Sequence, residues 1–141
     1  MTRAPIALLL AALLLAANPA RADAGDYTAF GEKAGLVRLM DDFMTRLLAD
    51  PRMAPHFKNS NQARVKEQLV EQFCEVLGGP CKYRGADMKS AHANMDITKA
   101  DFNALVEVLQ QSMAAQGVPF RAQNRLLAKL APMHRDVITV R

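Results

Sequence analysis

Leu77-Gly78-Gly79-Pro80-Cys81-Lys82-Tyr83-Arg84-Gly85-Ala86-Asp87-Met88-Lys89-Ser90-Ala91-His92 is the stretch from which the rest of the chain is read. Gly78-Gly79-Pro80 ends the helix before it, because glycine supplies permissive backbone and proline cannot continue a helix. Cys81 to Asp87 has no helical period and contains Gly85, so it reads as a loop. A short helix over about 87–94 follows, with His92 four residues beyond Met88 on the same side. A lone histidine on a helix is most often a surface or satisfied core residue. Its neighbours must supply the case for anything more.

Upstream, Val65, Leu69, Phe73, Val76 and Leu77 recur at three and four residues and predict a helix over about 61–77. Leu36, Leu39, Met40, Phe43, Met44 and Leu47 lay a similar stripe over about 35–49, which Asp50-Pro51 stops. Pro51 and Pro55 leave room for one helical turn at most, so Pro55-His56-Phe57 reads as a corner entering a polar loop, with His56 exposed. Downstream, Thr98 caps a helix with Phe102, Leu105, Val106, Leu109 and Met113 on its apolar face, and Asp101 favours its positive end. Gly117-Val118-Pro119 turns the chain into a last helix lined by Phe120, Leu127, Leu130 and Val137 and bent at Pro132. No segment alternates at period two for long enough to be a strand. The class is all-α.

Residues 1–22 stand apart. Arg3, an apolar run from Ile6 to Ala17 and the small-x-small end Ala20-Arg21-Ala22 form the pattern of a signal peptide cleaved after Ala22. The run falls short of the roughly twenty residues a membrane helix needs. The mature chain, 23–141, is therefore expected to be a single exported domain, periplasmic or secreted, with no membrane anchor. Cleavage takes Arg3 and Arg21 from the 18 basic residues, leaving 16 against 14 acidic ones. No dense basic run remains for a nucleic-acid backbone. Cys74 and Cys81, the only cysteines, are expected to be bonded in an oxidising compartment, free thiols being the alternative.

Read in order, Phe43, Leu48-Ala49-Asp50-Pro51-Arg52, Pro55-His56-Phe57, Leu77-Gly78-Gly79-Pro80, Tyr83-x-Gly85, Met88-Lys89-x-x-His92, Ile97-Thr98-x-x-x-Phe102, Gly117-Val118-Pro119 and Ala131-Pro132 resemble the group I truncated haemoglobins. The similarity runs from about Tyr27 onward. It implies a two-over-two helical sandwich around haem b, with His92 as the proximal iron ligand and Phe57 stacked on the porphyrin. It also implies a pocket lined by Met88, Phe102 and Val118. Cationic or hydroxyl groups should meet the haem propionates, with Arg64 preferred and Tyr83, Lys66 and Lys89 as further candidates. Apolar residues at helical spacing are as readily core, and the charged ones surface. Neither cysteine belongs to a Cys-x-x-Cys-His motif, so the haem is expected to be non-covalent.

The distal side departs from the family. Many relatives carry a tyrosine beside the phenylalanine matched by Phe43, whereas Met44 follows it here and cannot donate a hydrogen bond. The family's common glutamine aligns with Leu69, which leaves Gln68 as the remaining donor, set obliquely if Leu69 faces the iron. Met44 also offers a thioether that could occupy an axial position, while His56 and His134 are not expected to bind iron. The resemblance implies reversible binding of O₂, CO or NO opposite His92, with faster O₂ release than in tyrosine-bearing relatives. An enzyme on the same cofactor is the alternative. A nitric oxide dioxygenase would need electrons from an unidentified redox partner, and a peroxidase would need a distal acid or base that Met44 and Leu69 do not offer. A haem-free exported helical binding protein fits the periodicity but leaves the order from Gly78 to His92 unexplained.

Overall fold

A computed structural model describes residues 25–140, so the expected signal segment lies outside the described residues. Residues 25–29 are helical. Then come α1 (Glu32–Ala49), α2 (Ala54–Phe57), α3 (Gln62–Val76), α4 (Met88–His92), α5 (Lys99–Ala115), α6 (Phe120–Leu130), a 3₁₀ turn (Ala131–Met133) and α7 (His134–Val137). Among the described residues there is no strand.

α1 packs on α3 and on α5, and α5 packs on α6, so two helix pairs meet through α1 and α5. The apolar stripes read from the sequence supply the contact: Leu36, Leu39 and Leu47 of α1, Phe73 of α3, Leu109 and Met113 of α5 are buried together. Each such side chain contributes about 1.5–3 kcal/mol by leaving water. Asp26 is buried with them and accepts from Arg125 Nε at 2.5 Å, which ties the 25–29 turn to α6.

The ends of the helices follow local chemistry. α1 begins before its apolar stripe does, because Glu32, Lys33 and Ala34 form an exposed first turn with nothing to bury. Asn61 caps α3 by accepting from the Arg64 amide at 3.1 Å, and Gly78, with φ +79°, takes the left-handed backbone beyond its other end. Thr98 and Asp101 form a full capping box on α5: Thr98 Oγ1 accepts from the Asp101 amide at 3.1 Å, and Asp101 Oδ2 accepts from the Thr98 amide at 2.9 Å. The last helix is broken rather than bent. Pro132 lacks the amide an α-helix needs, and the chain passes through the 3₁₀ turn into α7. Phe120, expected on the apolar face, is instead 72% exposed at the first position of α6.

Candidate functional site

A cavity of about 600 Å³ opens among α2, α3, α4, α5 and the C-terminal elements, within the range of about 300–1,000 Å³ typical of ligand pockets. Its wall is chiefly apolar. Phe43 reaches it from α1, Phe57 from α2, Leu69 from α3, Met88 from α4 and Phe102 from α5. The stripes that build the core are wider than the helix contacts require, and their remaining members face this space.

His92, the last residue of α4, is half-buried on the same wall. Its Nδ1 lies 2.7 Å from the Met88 carbonyl oxygen. A carbonyl only accepts, so Nδ1 carries a hydrogen, and in the neutral ring the lone pair is then on Nε2. The short helix that creates this contact is fixed at its start by Asp87, whose carboxylate accepts from the Ser90 amide at 2.9 Å and the Ser90 hydroxyl at 2.8 Å. Those bonds from Ser90 hold the Asp87 carboxyl below the ordinary carboxylate range. Among the described residues no group of three or more His, Cys, Asp or Glu converges as a metal site. On this wall His92 Nε2 has no hydrogen-bond partner among the described residues, whereas His56 Nε2, on the same wall, lies 3.5 Å from Asp101 Oδ1.

Arg64, Gln68 and Tyr83 line both this cavity and a second, polar cleft of about 460 Å³ that includes Glu67, Glu71, Lys82 and Arg84. They mark the charged mouth of the apolar space. The Tyr83 hydroxyl donates to the Ala86 carbonyl at 2.6 Å, so its hydrogen is already committed. Gly85 lies directly beneath: a Cβ there would meet Gln68 Oε1 and Tyr83 Oη and push those side-chain ends aside. Gln68 thus leans on the 83–85 loop, at the margin of the cavity.

Cys74 and Cys81 are joined, with Cα atoms 5.6 Å apart. The bond fastens the end of α3 to the loop that carries Tyr83.

Several sequence-based expectations change. Met44 is buried but does not line the cavity; the adjacent Phe43 does, since neighbouring helix positions point about 100° apart. Val118 belongs to the core. Its amide donates to the Met113 carbonyl at 3.0 Å and its carbonyl accepts from Gln123 Nε2 at 2.9 Å, so it closes the α5–α6 turn away from the cavity. Lys66 pairs with Asp41 at 2.7 Å, and Lys89 is exposed off the cavity wall. His56, expected to be exposed, is half-buried on the wall, its Nε2 3.5 Å from Asp101 Oδ1. Thr98 first and His56 second keep the Asp101 carboxyl below its ordinary range. His134 is exposed, with Nδ1 2.8 Å from the Ala131 carbonyl and its ring edge-on to Phe102, 6.4 Å between centroids.

Gln72, Met95, Met133 and Asp101 are wall residues the sequence did not mark. Gln72 extends the face of α3 carrying Leu69, and that spacing could have found it. Met133 follows Pro132, where the helical period is lost, and carried no signal.

Residues 26–139 match the bacterial-like globin family. The group 1 truncated hemoglobin of Mycolicibacterium paratuberculosis is 33% identical over 113 residues, covering 80% of this chain and 83% of that protein. The truncated hemoglobin from Tetrahymena pyriformis in its Fe(III) form has a similar structure, with a TM-score of 0.76 at 26% identity over 80% of this chain and 97% of that one. The 2/2 hemoglobin from Synechococcus, solved in the cyanomet state with covalently attached heme, shares the fold at a TM-score of 0.75 and 23% identity, with the same coverage. With a family match spanning nearly all the described residues, a third of its aligned positions identical to a group 1 protein and two helix pairs around one apolar cavity, this chain belongs to the bacterial-like globins as a group 1 truncated haemoglobin.

Proposed function

We propose that the cavity holds a non-covalent haem b through His92 Nε2, and that this globin binds O₂, CO or NO reversibly on the face opposite His92. The observation that carries the reading is the committed Nδ1: the Met88 carbonyl fixes the tautomer and leaves Nε2 as the one free imidazole nitrogen of His92. Haem held by one imidazole supplies iron with an open position for a diatomic ligand. The residues present fit such a group. Phe57 and Phe102 offer apolar surface for a flat macrocycle, and Leu69 and Met88 extend it.

Arg64 supplies positive charge at the mouth, where a propionate would reach it. Tyr83 orders the loop there rather than donating, its hydrogen being held by Ala86. Gln68 is the donor left nearest the ligand side, set obliquely by its contact with Gly85. Relatives that are haemoglobins by name favour a ligand-binding protein over a nitric oxide dioxygenase, a peroxidase or a haem-free scaffold. Export to the periplasm or beyond belongs to the same proposal. The pattern over 1–22 supports it, and the Cys74–Cys81 bond suits an oxidising compartment. Among the described residues no helix is long and apolar enough to cross a membrane.

Absorption spectra of the purified protein, ferric, reduced, then with CO, test the reading together with His92→Ala. Wild type should show a haem spectrum that shifts on adding CO. His92→Ala should lose haem or change its ferrous spectrum, and an unchanged ferrous spectrum would refute the ligand assignment.

A further inference from the structure

α4 has five residues, too few to hold a helix by its own hydrogen bonds. His92 is the last of them, and soon after it Asn94 turns into the left-handed region with φ +64°, so no further turn steadies the imidazole. The acceptor of its Nδ1 hydrogen is the carbonyl of Met88, the first residue of the same helix. Both ends of that bond therefore depend on how the first turn is held. Asp87, the residue before α4, holds it three times over. Its Oδ1 accepts from the Ser90 amide at 2.9 Å, its Oδ2 from the Ser90 hydroxyl at 2.8 Å and its backbone carbonyl from the Ala91 amide at 2.9 Å. Asp87 and Ser90 are exposed and neither lines the cavity, so this arrangement is independent of what the cavity holds.

We infer that Asp87 is a positioning residue for His92: by tying down the first turn of α4, its carboxylate keeps the Met88 carbonyl on the Nδ1 hydrogen and so sets the orientation and basicity of Nε2. The inference rests on the haem reading, in which Nε2 is the iron ligand. An imidazole that donates its Nδ1 hydrogen to a fixed acceptor is held in one tautomer and is a stronger ligand through Nε2. Without the carboxylate, the Ser90 amide loses its partner in a turn whose amides have no intrahelical acceptors, and the turn frays. The Met88 carbonyl then leaves the Nδ1 hydrogen. Asparagine at this position keeps an oxygen for the Ser90 amide and caps a helix as well as aspartate does, so the acceptor matters here and the charge does not.

The test is resonance Raman of the haem-loaded, ferrous, ligand-free protein, read at the iron–imidazole stretching line, together with the rate at which haem passes to an excess of an acceptor globin. Asp87→Ala should move the line to lower frequency and speed haem loss by about fivefold, the worth of one helix cap. Ser90→Ala, which removes only the hydroxyl bond, should move it less, and Asp87→Asn should leave both readings near those of wild type. Val108→Ala, a buried core change off the cavity wall, should lower the melting temperature without moving the line. An unmoved line in Asp87→Ala, a shift of the same size in Val108→Ala, or a shift in Asp87→Asn as large as in Asp87→Ala overturns the positioning role. Where Asp87→Ala holds too little haem for a spectrum, an unmoved line in Ser90→Ala overturns it instead. Wild type with no iron–imidazole line at all overturns the haem reading itself, and the inference with it.

Discussion

Reducing the Cys74–Cys81 bond should lower the melting temperature by about 10 °C. The bond closes a loop with a sequence separation of 7. On the chain-entropy account, whose mechanism is model-dependent, restricting the unfolded chain to that loop contributes about 2.4 kcal/mol. A domain of this size lies between the small and large size classes, for which 1 kcal/mol corresponds to about 4 °C. Reduction is a cleaner perturbation than substitution. Cys74 is fully buried, so Cys74→Ala would add a packing loss of roughly 1 kcal/mol to the loss of the cross-link. The assay is a thermal melt of the haem-loaded protein with and without a phosphine reductant, at a fixed haem to protein ratio because a bound ligand itself raises the melting point. Unfolded, unreduced protein should show no titratable thiols. Two free thiols would refute the bond in the purified protein, and a shift under about 2 °C would refute the magnitude.

Three further outcomes follow from the site and its frame. Leu69→Gln places a donor on the cavity wall and should slow O₂ release by about one to two decades, the equivalent of roughly 1.5–3 kcal/mol for a charge-assisted bond; stopped-flow release rates check this, and Met44→Tyr, off that wall, should slow release less than Leu69→Gln does. Thr98→Ala should cost about 1 kcal/mol in urea unfolding by removing the α5 cap. Asp101, held below its ordinary value of 3.8 chiefly by Thr98, contributes stability that is present above that value and lost as pH falls through its lowered one. Asp101→Asn should therefore flatten the acid limb of stability against pH, and an unaltered limb would show that the capping box does not govern it.

The helices were legible because their apolar residues recur at three and four positions, and their ends because Thr98, Gly78 and Pro51 carry stop and start chemistry that acts locally. α1 shows the limit. Its first turn, Glu32 to Ala34, is exposed and polar, and a turn that buries nothing leaves no periodic trace. Pro132 shows another. A proline announces that a helix is disturbed, but whether the chain bends or breaks depends on what the next segment can pack against. Here α7 packs on α4, a contact between segments far apart in the chain.

The site was legible along the chain and less so around each helix. Phe57, Met88, His92 and Phe102, named from one ordered set of short motifs, all line the cavity, each near a turn or cap. Mid-helix positions have no such marker, and an error of one residue rotates a side chain by about 100°. That is why Phe43 rather than Met44 reaches the cavity, and why Gln68 sits at its margin. Gln72, four positions beyond Gln68, is buried on the wall, so the buried amide there is not the one the family alignment suggested. His56 turns on a partner instead. In isolation Pro55-His56-Phe57 reads as an exposed corner, and only the approach of Asp101 from α5 gives the imidazole a reason to lie against the cavity. Alignment by motif thus names the family and the candidate residues. Which side chains meet there depends on rotation and on partners from elsewhere in the chain, and neither is written within a single segment.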